Sequence, residues 1–483
     1  MTGLPASTNQ RPLRVGLIGL GLEAYWPQFE GLQQRLEGYL LTVAERLSTS
    51  ERRSIVNLGL VDSHAKALEA GHACRTQDID LLLVYVTTYA LSATVLPVIL
   101  RARVPVIVLN LQPEASIDYS RFNQMRDRRA MTAEWLAYCS SCPVPEITNV
   151  LQRLDLPFHQ VTGMLHDDPV CWTALEQWIV AAEVQQMFSH SRLGLMGHYY
   201  GGMLDIATDL VQVAGRFGVH LEMIEVERLS ALRREVSSPQ ISHKVDQLRE
   251  FFTVDEDCEP SELERAAATS VALDHLVADS ALDMLAYYHM GSGIEENENV
   301  MSSIILGATM LIGQGIPVAG EYEIKNALAM KLLDRLGAGG SFTEYYAVDF
   351  REDLVLMGHD GPGHSGIAQD KVRVRRLEVY HGKVGQGLSV EMNVQHGPVT
   401  LLSVVEDKRG FLLLVAQGES VPGPILEIGN TNSRYRFPLG ARGFVEAWNA
   451  QGPAHHCAIG IGHHAEQIRK IAALMNLGFH QVC

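Results

Sequence analysis

The sequence predicts an α/β protein in which two doubly wound, Rossmann-like parallel-sheet units precede a β-rich, antiparallel barrel-like C-terminal part. Three observations carry this expectation. Apolar runs alternate with helix-length amphipathic segments up to about residue 187. The same alternation restarts at Arg192. After Asp370 the helical spacing gives way to short apolar runs joined by Gly, Pro and Asp turns. The expected division is 1–187, 188–330 and 331–483, since 483 residues exceed what one hydrophobic core usually serves.

In the first unit Arg14–Leu20 reads as a buried strand, and Gly21 opens a turn into a helix with Phe29, Leu32, Leu36, Leu40, Val43 and Leu47 on its apolar face. Ile55–Val61, Ile79–Val86 and Val104–Leu109 are the next strands. In the second unit Arg192–Met196, Val219–Val226 and Met284–His289 read as strands, and Leu204–Phe217, Leu263–Ala278 and Ile304–Ile312 as helices. The charged stretch Ser230–Pro260 is expected to form surface helices. Four β runs follow at Val372–His381, Leu388–Val394, Val399–Glu406 and Phe411–Ala416, and Ala465–Leu477 closes the chain as a helix.

Composition narrows the function. The chain is 47% hydrophobic and 20% charged, as globular proteins are, and its formal net charge of -17 argues against nucleic acid or an anionic membrane surface as partner. No run reaches the roughly 18 apolar residues of a membrane span. The N-terminal residues lack the apolar core of a secretory signal. Seven scattered cysteines fit reduced thiols, so a cytoplasmic setting is expected. Cys139 and Cys142 form a C-x-x-C without the second pair that zinc needs, leaving a redox pair or chance spacing.

Gly19-Leu-Gly-Leu-Glu-Ala24 imitates a dinucleotide fingerprint, yet the first acidic candidate, Asp62, lies much farther than the usual ~20 residues. A nicotinamide-dependent dehydrogenase is therefore a weaker reading than a tight strand-to-helix turn. The chemistry concentrates instead between Ala319 and His364. Glu321 follows an apolar run, Glu344 a Gly-rich break, and His359 ends a third apolar run inside Met357-Gly-His-Asp-Gly-Pro-Gly-His364. His364 competes with His359, and either His455 or His456 of the distant Ala454-His-His456 supplies a fourth ligand. Two carboxylates and two imidazoles suit manganese, cobalt or magnesium better than thiol-rich zinc. Each residue also has an ordinary reading: an acid at a helix start favoured by the macrodipole, a strand carboxylate, incidental turn histidines.

The set Gly320-Glu321, Lys325, Gly340-Ser-Phe-Thr-Glu344, Leu354-Val-Leu-Met-Gly-His359 and Ala454-His-His456 resembles the L-arabinose isomerase family, within the fucose isomerase-like fold, in order and spacing. The resemblance covers mainly residues 315–475. It implies a metal-dependent aldose–ketose isomerase holding Mn²⁺, or Co²⁺ or Mg²⁺, on Glu321, Glu344, His359 and His456, with Glu321 and Glu344 moving protons through an ene-diol. It also implies a homotrimer or homohexamer with a pocket shared between subunits, acting on a small sugar.

The sugar-facing segments depart from the family. Gly21-Leu-Glu-Ala-Tyr25 keeps only the tyrosine, a polar Gln-Thr-Ala-His-Gly-Gly segment is replaced by Cys139-Ser-Ser-Cys-Pro-Val144, and Glu323 stands for an aspartate. Glu23, Tyr25, His198, Glu323 and His455 are the expected sugar contacts of an altered pocket. A non-catalytic sugar-binding or regulatory protein that kept the fold is the alternative.

Overall fold

The structure, a computed structural model, describes residues 11–377 and 386–483. It contains two compact units, one spanning Gln10–Gln186 and the other holding Met187–Cys483. Both are built on parallel sheets, as the alternating runs imply.

The first unit is a five-stranded parallel sheet of β1 (Leu13–Leu20), β2 (Arg53–Val61), β3 (Leu81–Val86), β4 (Val106–Gln112) and β5 (His159–Met164) in the order β2-β1-β3-β4-β5. β3 is buried at every position, which is why it reads as an unbroken apolar run rather than an alternating one. The first helix begins at Leu32 and not at Phe29, because Gly31 adopts φ 78° and breaks the turn before it. Its Leu32, Leu36, Leu40, Val43 and Leu47 are all buried, at the 3.6-residue period of one face.

The fingerprint glycines have a packing role here. A Cβ on Gly19 would come within 2.6 Å of Leu60 Cδ2, and one on Gly21 within 2.9 Å of Trp26. Asp62 is occupied locally, accepting from Trp26 Nε1 at 2.8 Å and Lys66 Nζ at 2.7 Å. Cys139 is buried beside Cys142, and burial first, then that neighbour, push its thiol up to about 12. That is opposite to the acidic thiol of a redox pair.

The second unit opens with β6 (Arg192–Gly197), β7 (His220–Ile224), the two-residue β8 (Thr253–Val254), β9 (Met284–Tyr288) and β10 (Val318–Ala319). Four of these make a parallel sheet in the order β10-β9-β6-β7. The helix expected from Leu204 starts only at Leu210, where the Asp209 carboxylate accepts from the N–H groups of Val211 and Gln212. Residues 198–209 are thereby left as a loop after β6. Val226 starts a helix rather than ending a strand. Within the charged segment, Ser238–Phe251 is a helix closed by a Ser237–Gln240 capping box.

The β-rich part comprises β11 (Ser341–Asp349), β12 (Leu354–His359), β13 (Arg373–Leu377), β14 (Gly387–Glu391), β15 (Gly397–Asp407), β16 (Gly410–Val421), β17 (Thr431–Arg436), β18 (His456–Ile461) and β19 (Gly478–Gln481). β15-β18-β11-β12-β17-β16 pair antiparallel in that order, and β15 pairs β16 again. Six strands thus close into a barrel, with β19 added parallel to β16. The first two expected runs stand apart from it. β13 pairs β14 and, in parallel, β8, and Arg375 bridges Asp255 and Glu391 across them at 2.9 and 3.1 Å. The end of the expected run Val372–His381, from 378 on, lies outside the described residues.

Candidate metal centre

β10 is only two residues long, and the chain leaves it through the turn Gly320–Tyr322 into the helix Ile324–Arg335. Glu321 and Tyr322 take φ values of 57° and 63°, a conformation that costs an L-residue roughly 1–2 kcal/mol each. Two such residues in succession, neither of them glycine, mark a backbone held for a purpose by its surroundings. Here the turn aims the Glu321 carboxylate outward from the carboxyl end of the sheet, where ligands of parallel sheets gather.

The other donors come from barrel strands, and the register fixes them. Glu344 on β11 lies opposite His456 on β18 and opposite Gly358 on β12, with His359 following at the strand end. A Cβ at Gly358 would collide with the Thr431 carbonyl oxygen, so the β12–β17 approach demands glycine there. Thr431 locks the next residue twice: its hydroxyl accepts from His359 N–H and donates to His359 O, both at 3.0 Å. Phe342, buried, packs its ring 4.4 Å from those of both His359 and His456.

Strands and turn meet in two overlapping groups. Ligand atoms of Glu321, His359 and His456 lie within 4.8 Å of one another, and so do those of Glu344, His455 and His456. Glu321 Oε2 is buried and makes no hydrogen bond; its imidazole neighbours are His456 Nε2 at 3.5 Å and His455 Nε2 at 3.9 Å. Each of the doubled histidines is gripped from behind by an acid. His456 Nδ1 lies 3.4 Å from Glu323 Oε2, and His455 Nδ1 lies 2.6 Å from Asp205 Oδ2.

The two grips differ in burial. The side chains of Glu323 and His456 are 0% and 1% exposed, those of Asp205 and His455 40% and 37%. Burial pushes the Glu323 carboxyl up to about 8, with Lys325 opposing. Asp205 is held lower than usual despite its burial, because the His455 side chain and N–H both bond it. Lys325 Nζ, itself buried, donates to the carbonyls of Asp205 and Ala207, tying the loop after β6 to the helix after Glu323.

The remaining expected contacts are placed as follows. His364 is turned away to Gly366 N–H and Asp334. His198 belongs to neither ligand group; it lies at the end of β6 with its ring 5.4 Å from that of Tyr288 and 6.4 Å from that of His289. Glu23 and Tyr25 form a 3-10 turn in the other compact unit. Asp205, His289 and Thr431 escape sequence reasoning, since nothing in their local spacing sets them apart, and Phe342 stands in the Gly340–Glu344 motif without a role assigned to it.

Residues 339–478 match the model of the L-arabinose isomerase C-terminal domain. The chain is 23% identical over 311 residues to an L-arabinose isomerase of Klebsiella pneumoniae (strain 342), covering 62% of each chain. To a Nocardioides sp. L-arabinose isomerase it is 22% identical over 340 residues, 68% of this chain and 67% of that one. The chain is thus similar to the L-arabinose isomerases, and matches the family model in its C-terminal part. A sulfoquinovose isomerase of Alkalicoccus urumqiensis is 22% identical over 288 residues, 59% of this chain and 63% of its own length. The match thus spans about three fifths of the length of the first of these relatives. Among the described residues no helix is long and apolar enough to cross a membrane.

Proposed function

We propose that this arabinose isomerase-like chain is a divalent-metal-dependent aldose–ketose isomerase of a free sugar. One observation supports the reading: ligand atoms of Glu321, His359 and His456 lie within 4.8 Å of one another, those of Glu344, His455 and His456 do likewise, and Glu321 Oε2 among them is buried without a hydrogen bond. The donor set fits a cation. With Nδ1 directed at Glu323, His456 presents Nε2 to the Glu321 carboxylate oxygen that makes no hydrogen bond, so a cation between them would satisfy both. Two carboxylate oxygens and two imidazoles suit Mn²⁺, with Co²⁺ or Mg²⁺ as the alternatives.

When bound, such an ion polarises the carbonyl and adjacent hydroxyl of an open-chain sugar. The protein does the rest. Glu321 and Glu344 stand on different elements: one carboxylate removes the proton from the hydroxyl-bearing carbon beside the carbonyl, the hydroxyl proton passes to the former carbonyl oxygen, and a proton delivered to the former carbonyl carbon completes the ene-diol shift. Glu323, wholly buried, acts through His456 and not on the sugar itself. Glu23, Tyr25, His198 and His455 remain the proposed sugar contacts, and a cytoplasmic homotrimer or homohexamer the proposed assembly. The names of the relatives put pentoses and 6-substituted hexoses first among substrates to try.

The test strips the protein with chelator and restores Mn²⁺ while a panel of aldoses, L-arabinose and sulfoquinovose included, is followed for ketose by NMR. Turnover lost and regained supports the proposal. Metal bound without turnover of any aldose leaves a sugar-binding or regulatory protein instead.

A further inference from the structure

The doubled histidine presents the same local device twice. In both copies an acid holds Nδ1, and in both Nε2 faces the Glu321 carboxylate. Such pairing fixes the orientation of the ring and directs its other nitrogen toward a ligand. The copies are unequal. The inner pair, Glu323 with His456, is sealed from solvent; the outer pair, Asp205 with His455, is more than one-third exposed on both side chains.

We infer that the outer pair is a substrate-orienting device: Asp205 is a positioning residue that aims His455 Nε2 at a hydroxyl of the sugar, while the inner pair serves the metal. This rests on the isomerase reading and extends it to a residue with no place in the ligand set.

Three features of the loop support it. Asp205 grips His455 twice with one oxygen, through the ring at 2.6 Å and the backbone N–H at 2.9 Å, so the histidine is held in both position and rotation. The loop bearing Asp205 is fastened by buried Lys325, whose ammonium donates to the carbonyls of residues 205 and 207. Ile206, between them, is fully buried and anchors the loop to the core. Such a fastening has no function for a surface ion pair, which is worth ~0–1 kcal/mol by itself. It makes sense where a ring must be held at one angle. A hydroxyl both donates and accepts, so it meets Nε2 in either protonation state, and an exposed imidazole beside a polyol site loses little water by making that bond.

The experiment titrates Mn²⁺ alone, then L-arabitol into the Mn²⁺-loaded protein, by calorimetry on wild type, Asp205→Asn, His455→Asn and Glu323→Gln, with thermal melting as a check of folding. The expected result is a split. Asp205→Asn and His455→Asn keep Mn²⁺ affinity within about 3-fold but weaken arabitol about 10-fold, the size of one lost hydrogen bond. Glu323→Gln weakens Mn²⁺ at least about 10-fold. The inference is overturned if Asp205→Asn damages Mn²⁺ binding as much as Glu323→Gln does, which would make His455 an inner ligand. It is equally overturned if arabitol binding ignores both outer substitutions, or if the Mn²⁺-loaded wild type binds no arabitol. Failure of the wild type to bind Mn²⁺ would instead sink the isomerase proposal. Asp205→Glu, which keeps the charge and lengthens the arm, should recover part of the arabitol affinity where Asn does not.

Discussion

The turn after β10 and the barrel strands bring donors to the same place by opposite means. Glu321 is aimed by backbone strain: two successive left-handed residues at the end of a two-residue strand. Glu344, His359 and His456 are aimed by register, each on a strand of a closed barrel with its neighbours fixed by hydrogen bonds. Register costs nothing locally, since the ladder that places the side chain also stabilises the strand. A strained turn must be held by what surrounds it, here the parallel sheet before it and the buried helix Ile324–Arg335 after it. The barrel therefore places its side chains without strain, and the turn places Glu321 at the cost of it.

Substitutions can break this contrast at several points. The largest effect is expected at Glu344, which the isomerase proposal makes both a metal ligand and a proton-moving group. Glu344→Gln should lower kcat/KM for any accepted aldose about 10²–10⁴-fold with the melting temperature of the metal-free protein nearly unchanged; a marked fall in metal-free stability would show that the carboxylate serves the barrel. Next comes Thr431, which holds His359 through two hydrogen bonds. Thr431→Val leaves both partners buried and unmatched, and should destabilise the protein by about 1–3 kcal/mol while weakening Mn²⁺ binding in calorimetry.

The strain itself is read at Glu321. Both Glu321→Gly and Glu321→Ala remove a ligand, but only glycine relieves φ 57°. In metal-free urea unfolding the glycine variant should be the more stable by about 1 kcal/mol, and the reverse order would mean the turn is not strained. The same pair at Glu344, in extended strand, should favour alanine.

The smallest effect concerns His289, whose imidazole is held below its ordinary 6.5 first by burial and then by His198, with Glu227 and Glu298 opposing. A histidine with a depressed pKa contributes stability above its unfolded value and loses it as pH falls. Melting between about pH 7 and 5.5 should therefore drop less steeply in His289→Gln than in wild type. Parallel curves would remove the group from the balance.

Legibility in the sequence followed the range of the forces involved. Period and burial are local properties, so β3, β9 and the Leu32–Leu47 helix could be read directly. Leu204 misled because its apolar neighbours imitate a helix turn, whereas the cap that starts the helix is Asp209. The runs at 373–377 and 387–391 look like barrel strands but pair with each other, the first also with Thr253–Val254, a partner too short to show any period. The spaced motifs made Glu321, Glu344, His359 and the doubled histidine visible as candidates, whereas Asp205 was not, because it faces His455 from 250 positions away.

By itself the sequence determined the alternation of layers, the buried strands and the types of donor gathered near the C-terminal part, because hydrophobic period and side-chain chemistry are carried by neighbours along the chain. Only the tertiary structure decided which histidine of the doubled pair is sealed and which is open, which acid stands behind each, and that a left-handed turn points Glu321 at both. Those are matters of distance and solvent access between segments far apart in sequence, and no residue encodes them alone.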